Sequence, residues 1–443
     1  MWLRARPRPS GCEAHRHHGH ERRRVVSATP DVLAVRLRGD LIGEVRRLRN
    51  GRLRLQFSDD ALHRWGEGSR PLSLSLPLTP RRLDGPEVHR FLDNLLPEGP
   101  VRAALEREHD VAPSDTFGLL ARVGAECAGA VQLTPEGTTL DHGYLRPLDD
   151  AEFVRLVSEL PTLDPPDDLT VTASLGGVQA KVLLHRTESG WAWPADGALS
   201  THIVKPDPLG GTGINGLVRL EHWTLRLARA SGVPAARSEL IAVDGRDVIV
   251  VERYDRTGGR RTHQEDLAQA LGLAAQDKYE PSGRSPGRLA SVARTASAEA
   301  VDPAALRHDL LRLVTFNTIV GNGDAHAKNY SLLVDTEASY SVAPLYDAAP
   351  VYLVSSAYRH SGLAVAGRNR LDLVTGALLV EEAVSWGMGR ATAVETIASI
   401  ADAVLHGLDA VPTDVPHAQV PERVAERATA VARSAMGSPP NSA

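Results

Sequence analysis

One short polar segment, Asp324-Ala325-His326-Ala327-Lys328-Asn329, directly follows an apolar helical run in the second half of the chain. An Asp and an Asn five residues apart at a helix end restrict what the surrounding chain can become. The carboxylate can take or orient a hydroxyl proton, and the amide oxygen can hold a metal. Two short apolar runs follow, 330–334 and 340–345, joined by the turn-like Asp335-Thr336-Glu337-Ala338, and Asp347 comes next. A strand, a turn and a returning strand carry Asp347 back beside Asn329. This is the layout of a phosphoryl-transfer loop and its metal-binding acid.

Lysine usage points to the same chemistry. Lysine and arginine together number 50, yet only four are lysines: Lys181, Lys205, Lys278 and Lys328. An ammonium reaches phosphates as a compact point charge, whereas a guanidinium is a wide planar fork. Lysines that persist in so arginine-rich a chain mark positions where arginine cannot serve; the bland alternative is chance survival. The remaining composition is that of an ordinary globular protein, with 42% hydrophobic and 24% charged residues. A chain of 443 residues has room for two or three lobes. Two cysteines, Cys12 and Cys127, suit a reducing, cytoplasmic compartment, and no apolar run approaches a membrane span. The net charge of −5 argues against nucleic-acid binding through bulk charge.

Residues 1–30 hold seven Arg and four His against two acids, with no apolar stretch after Arg22-Arg23-Arg24. A disordered basic tail is expected there, in preference to a weak metal site at Cys12 and its neighbouring histidines. Beyond it, 32–37, 41–48 and 52–57 read as strands, 71–78 as an extended edge, and 101–107 and 115–123 as helices. The Pro- and Asp-rich 161–168 marks a boundary. Strands follow at 169–173, 181–185 and 201–205, then an amphipathic helix over 217–230. A hairpin turning at Asp244-Gly245 comes next. Thr262 and Glu265 suggest a capping box opening a helix through 271. From there to about 435 the pattern is mainly helical. The expected architecture is α+β: a two-lobed protein-kinase-like fold with a β-rich N-terminal subdomain and a helical C-terminal lobe. The expected divisions are 31–140, a phosphate-loop lobe at 150–255, a helical lobe with the catalytic loop at 256–435, and a flexible tail at 436–443.

Within this frame Lys205 ends a strand sixteen residues before Glu221 on the next helix. A strand lysine paired with a helix glutamate aims an ammonium at the α- and β-phosphates of ATP. The glycines of Ser174-Leu175-Gly176-Gly177-Val178-Gln179-Ala180-Lys181 let backbone N–H groups approach phosphates, although a simple strand-connecting turn would read similarly. Gly211-Thr212-Gly213-Ile214-Asn215-Gly216 matches a dinucleotide-binding pattern, but an antiparallel hairpin follows it, so it is read as a loop. Asp324 is the candidate base, and Lys328 is placed to steady the transferred phosphoryl group. His326 is read as a packing or hydrogen-bonding residue on the ATP side of the loop, in preference to an acid or base.

These residues together resemble the HipA-like serine/threonine kinases, the toxins of type II toxin–antitoxin modules. Asp324–Asn329 looks like their catalytic loop, and 174–181 resembles their serine-containing phosphate loop. Thr201–Lys205 is similar to their lysine strand, 251–256 to their hinge, and Lys278-Tyr279-Glu280 to a further signature. Phe91–Gly99 and Gly124–Ala130 resemble their N-terminal subdomain. The resemblance implies Asp324 as base, Asn329 and Asp347 as Mg²⁺ ligands, and Lys205 on the ATP phosphates. It implies autophosphorylation of Ser174, which silences the enzyme, and adenine contacts from the backbone of Glu252 and Tyr254. Gly176, Gly177, Gln179, Lys181 and Glu221 complete the expected ATP site. An aminoacyl-tRNA synthetase as substrate is implied, with translation arrest as the outcome. A small helix-turn-helix, HipB-like antitoxin that carries the contact to operator DNA is implied as partner. Ala325 and Ala180 depart from residues frequent in the family, and Ala348-Ala349-Pro350 follows Asp347; none of these removes a chemical group. Two alternatives stay open: a small-molecule kinase of the same fold, and a catalytically silent corepressor acting with an antitoxin on DNA.

Overall fold

The structure, a computed structural model, describes residues 31–139, 143–160, 179–209, 214–283, 286–412 and 415–437. Ser174, Gly176, Gly177, the strand expected over 169–173 and the boundary at 161–168 lie outside these residues.

Alternating apolar and polar residues pair into an antiparallel four-stranded sheet near the start of the described chain. Its order is Leu53–Phe57, Asp40–Arg47, Val32–Leu37, Val131–Pro135. The inward residues Leu33, Val35, Leu37, Val45 and Leu55 pack under the helices Pro86–Asn94 and Thr116–Val123. Pro86 opens the first of these helices at a position where a missing N–H costs nothing. Asp115 caps the second by accepting from Gly118 N–H. Residues 71–78 do not form the extended edge that their alternation suggests. They make an irregular segment whose leucines, 72, 74, 76 and 78, are all buried. Buried partners for their backbone groups, notably the Glu265 carboxylate on Leu74 N–H (2.8 Å), replace sheet pairing.

A second antiparallel sheet has the order Tyr144–Pro147, Gly190–Ala195, Val182–Thr187, His202–Pro206, Arg246–Glu252, Ser238–Val243 among the described residues. The helix Asp150–Glu159 covers one face, with Phe153, Leu156 and Val157 packed on Val182, Val204 and Val250. The helix Leu217–Ala230 covers the other and buries Val218, Leu220, Leu225 and Leu227. Its apolar residues recur at helical spacing, as the sequence indicates.

The last third is helical around Pro303–Val320, which is surrounded by Arg288–Ala298, Gly376–Ser385, Arg390–Ala410 and Val420–Ala435. The capping box expected at Thr262 and Glu265 is not there. Residues His263–Asp266 are a strand paired with Ser331–Val334, and the box sits four residues later, Asp266 with Gln269, opening Leu267–Ala270. Glu265 is buried in the strand and accepts from Ser73 Oγ (2.5 Å). Strand pairing and this tertiary bond outweigh the local capping signal, because Glu265 meets a buried hydroxyl that only the folded N-terminal subdomain supplies.

Candidate active site

The helix Pro303–Val320 ends at Gly321, whose left-handed backbone (φ 74°) turns the chain out of the core. Buried amides brace the turn: Asn322 Nδ2 donates to Asn317 Oδ1 (2.9 Å), and Asp324 N–H donates to Asn322 Oδ1 (3.2 Å). The loop then closes on itself, His326 N–H to Asp324 O (2.8 Å) and Asn329 N–H to His326 O (2.9 Å). Gly362 lies directly against it, and a Cβ there would sit 2.3 Å from His326 Cα.

Strands Ser331–Val334 and Tyr340–Val342 return as an antiparallel pair. Leu345 is then clasped by residues 234–236, donating to Pro234 O (2.8 Å) and accepting from Ala236 N–H (2.9 Å). This clasp delivers Asp347 to the lysine strand. Asp347 adopts φ 52°, a conformation in which Asp is better tolerated than most residues. Lys205 Nζ donates to Asp347 Oδ1 (2.8 Å) and to Glu221 Oε1 (2.9 Å). The carboxylates of Asp347 and Glu221 raise the ammonium above its ordinary value against the opposing effect of burial. Burial likewise works against Asp347, but Lys205 and Lys181 hold it below the usual carboxylate range. Burial raises the Glu221 carboxyl.

These groups line one cleft of about 830 Å³. All four lysines of the chain face it. Burial lowers Lys181 to about 8. Asp324, half-buried, is pushed up to about 6 by burial and by the Asp347 charge, while the hydroxyl of Tyr279 opposes the rise. That hydroxyl donates to Asp324 Oδ1 at 2.6 Å. His326 is buried beside it and lowered to about 3 by desolvation. It stays neutral at physiological pH.

Gln179 and Lys181 line the cleft with Lys205, Glu221, Asn329 and Asp347. Glu252 and Tyr254 do not. Glu252 is exposed, and Tyr254 meets two residues of the cleft wall, its hydroxyl donating to Gln264 and its ring lying 5.9 Å from that of Tyr346. Lys328 is more committed than a residue free to meet phosphate. Its ammonium donates to the main-chain and side-chain oxygens of Asn94 (both 2.9 Å) and lies 3.5 Å from Asp266. Asn94 and Glu98 line the cleft and were not singled out by the sequence. The rarity of lysine was the available signal, since Glu98 holds Lys278 at 3.0 Å.

The donor set suits a hard divalent cation. Asn329 Nδ2 donates to Asp324 O (2.8 Å), which leaves the amide oxygen as the atom available to a cation. Asp347 engages Lys205 through one oxygen only. Mg²⁺ takes one or two protein oxygens and completes its shell with water and phosphate. Among the described residues no group of three or more His, Cys, Asp or Glu side chains forms a cluster of the kind that encloses a metal.

Residues 33–134 match the HipA N-terminal domain family, and residues 173–408 match the HipA-like C-terminal domain family. The chain belongs to the HipA toxin-kinase family. It is 32% identical over 322 residues to the serine/threonine-protein kinase toxin HipA of Shewanella oneidensis, covering 68% of this chain and 71% of that protein. It is 36% identical over 334 residues to a Sinorhizobium fredii protein named "Putative kinase Y4mE", covering 72% and 77%. The solved complex of Shewanella oneidensis HipA with HipB and operator DNA contains a chain of the same fold. The TM-score is 0.72 at 26% identity, over 92% of this chain and 97% of that one. The HipA relationship accounts for both the two-lobed α+β architecture and the extra N-terminal subdomain. No helix of the described residues is long and apolar enough to cross a membrane.

Proposed function

We propose that this HipA-family protein is an ATP- and Mg²⁺-dependent serine/threonine protein kinase, acting as the toxin of a HipA/HipB-type pair. The observation that carries the reading is the junction of Lys205, Glu221 and Asp347 in the same cleft as Asp324 and Asn329. Asn329 and Asp347 are the residues that would hold Mg²⁺, which when bound neutralises phosphate charge. Lys205, kept cationic by its two carboxylates, anchors the α- and β-phosphates. Asp324 accepts the hydrogen bond of the acceptor hydroxyl and orients its oxygen for in-line attack. Positioning and fixed charge therefore do most of the catalytic work.

An aminoacyl-tRNA synthetase is the proposed acceptor, autophosphorylation of Ser174 the proposed off-switch, and a HipB-like protein the partner that brings the chain to operator DNA. The family membership and the likeness to the HipA–HipB–DNA complex support these assignments.

The test is transfer of labelled phosphate from ATP and Mg²⁺, to the chain itself and to proteins of a cell lysate. Asp324→Asn keeps an acceptor for the Tyr279 hydroxyl and removes the base. It should lower transfer by about 100- to 10,000-fold while ATP still binds. Label on Ser174 and on one lysate protein, both lost in the variant, is the expected result. Label in a small molecule and none in protein would refute the protein-kinase reading.

A further inference from the structure

Tyr279 is half-exposed, on a segment whose backbone is otherwise held tightly. On one side Lys278 is buried: its carbonyl accepts from Ala327 N–H in the catalytic loop (3.1 Å), and its ammonium donates to Glu98 Oε2 (3.0 Å). On the other side Glu280 is buried: its N–H donates to Gly362 O (2.7 Å), and its carboxylate accepts from Arg288 N–H (2.9 Å) and Ala364 N–H (3.1 Å). Both neighbours thus fix the tyrosine between the catalytic loop and the strand His360–Val365. The ring meets His326 edge-on at 5.0 Å. Its hydroxyl donates to Asp324 Oδ1 at 2.6 Å, from a residue 45 positions away.

An aspartate carboxylate rotates broadly about its last torsion. A short, charge-assisted bond to one oxygen removes that freedom and leaves the other oxygen to face an acceptor hydroxyl. Nothing else pins Asp324 as firmly among the described residues, since His326 Nε2 lies 4.0 Å away. The anchorage continues outward. Glu98, which holds Lys278, comes from the N-terminal subdomain, and the same subdomain supplies Asn94 to Lys328.

We propose that Tyr279 is a positioning residue for Asp324, and that Glu98 couples the N-terminal subdomain to this arrangement through Lys278. The inference rests on the kinase reading. It gives the N-terminal subdomain a part in phosphoryl transfer.

The experiment measures ADP formation by the full chain from ATP and Mg²⁺, with dialysed lysate protein supplying acceptors and Asp324→Asn as background. Tyr279→Phe keeps the ring and its contact with His326. It should lower kcat about 10- to 100-fold, leave the KM for ATP within about twofold, and leave the melting temperature unchanged. Glu98→Ala should lower kcat less, and the double variant should be no slower than Tyr279→Phe alone. An unchanged kcat in Tyr279→Phe overturns the proposal. A raised kcat also does, because the phenol would then be competing with the acceptor. So does a loss matched by weaker ATP binding or by a lower melting temperature. Additive losses in the double variant overturn the coupling to Glu98. A wild-type chain that forms no ADP overturns the kinase reading and this inference together, whereas an active wild type with an unaffected Tyr279→Phe overturns the inference alone.

Discussion

At the scale of single residues, the chemistry depends on which cations the cleft can accept. Lys205 sits buried between Glu221 and Asp347 at 2.9 and 2.8 Å. A point charge on a slim stem fits between two carboxylates and still reaches a phosphate; a guanidinium would need a wider space and a planar partner. Lys205→Met should therefore lower kcat/KM for ATP by about 100- to 1,000-fold, the usual cost of losing a positioned cationic or hydrogen-bonding group. Lys205→Arg should not restore it, although it keeps the charge. Steady-state kinetics on both variants, with thermal melts as a folding control, check this. An arginine variant with near wild-type kcat/KM would show that charge alone suffices, and the rarity of lysine would lose its explanation.

At the scale of elements, the strand His263–Asp266 shows how tertiary context overrides a local signal. Its central carboxyl, Glu265, is raised to about 8 by burial, with Ser73 and Leu74 N–H opposing the rise. The folded protein therefore keeps a proton that the unfolded chain releases near pH 4.5. Stability contributed by this group is complete below that value and is lost as pH rises through about 8. His263, two residues earlier, acts in the opposite sense, since burial lowers it to about 4. Its contribution is present above pH 6.5 and falls only below that. Between pH 6.5 and 8 the two separate. The stability difference between wild type and Glu265→Gln should shrink there by about 2 kcal/mol, measured by urea melts at several pH values. A difference constant across that window would mean that Glu265 is ionised in the folded protein.

At the scale of the whole molecule, a cluster of buried charges joins the N-terminal subdomain to the rest. Glu126 accepts from Ser200 Oγ (2.8 Å), Arg253 Nη1 (3.1 Å) and Arg256 Nη2 (3.1 Å), and Arg261 also donates to it. Asp255 completes the cluster, receiving Arg253, Arg256 and the N–H of Gly129 (2.8 Å). Glu126 and Gly129 belong to the N-terminal subdomain, and Arg253 and Asp255 directly follow the strand Arg246–Glu252, so the cluster ties the subdomain to the six-stranded sheet. Glu126→Ala leaves the three guanidiniums of the cluster with one carboxylate, Asp255, and should destabilise the chain by about 3–5 kcal/mol in a urea melt. A loss under about 1 kcal/mol would mean that water reaches the cluster.

The grouping of Lys205, Glu221, Asp324, Asn329 and Asp347 was legible in the sequence by itself. Residue types at short, fixed separations determine it: Asp324 to Asn329 within one turn, Asp347 after one hairpin, and Lys205 one strand-to-helix step from Glu221. Alternation and helical spacing likewise determined most strands and helices, since those patterns reflect which face of a single element is buried. Where a signal had a competitor in space, it failed. The capping box at Thr262 gave way to strand pairing, and the leucines of 71–78 went into a buried irregular segment. Only the tertiary structure decided that Tyr279 touches Asp324, that Asn94 holds Lys328 across 234 residues, and that Lys278 joins the other three lysines in one cleft. Such contacts have no characteristic spacing. They exist because separately formed elements pack against one another, and the packing sets which distant side chains share a cavity.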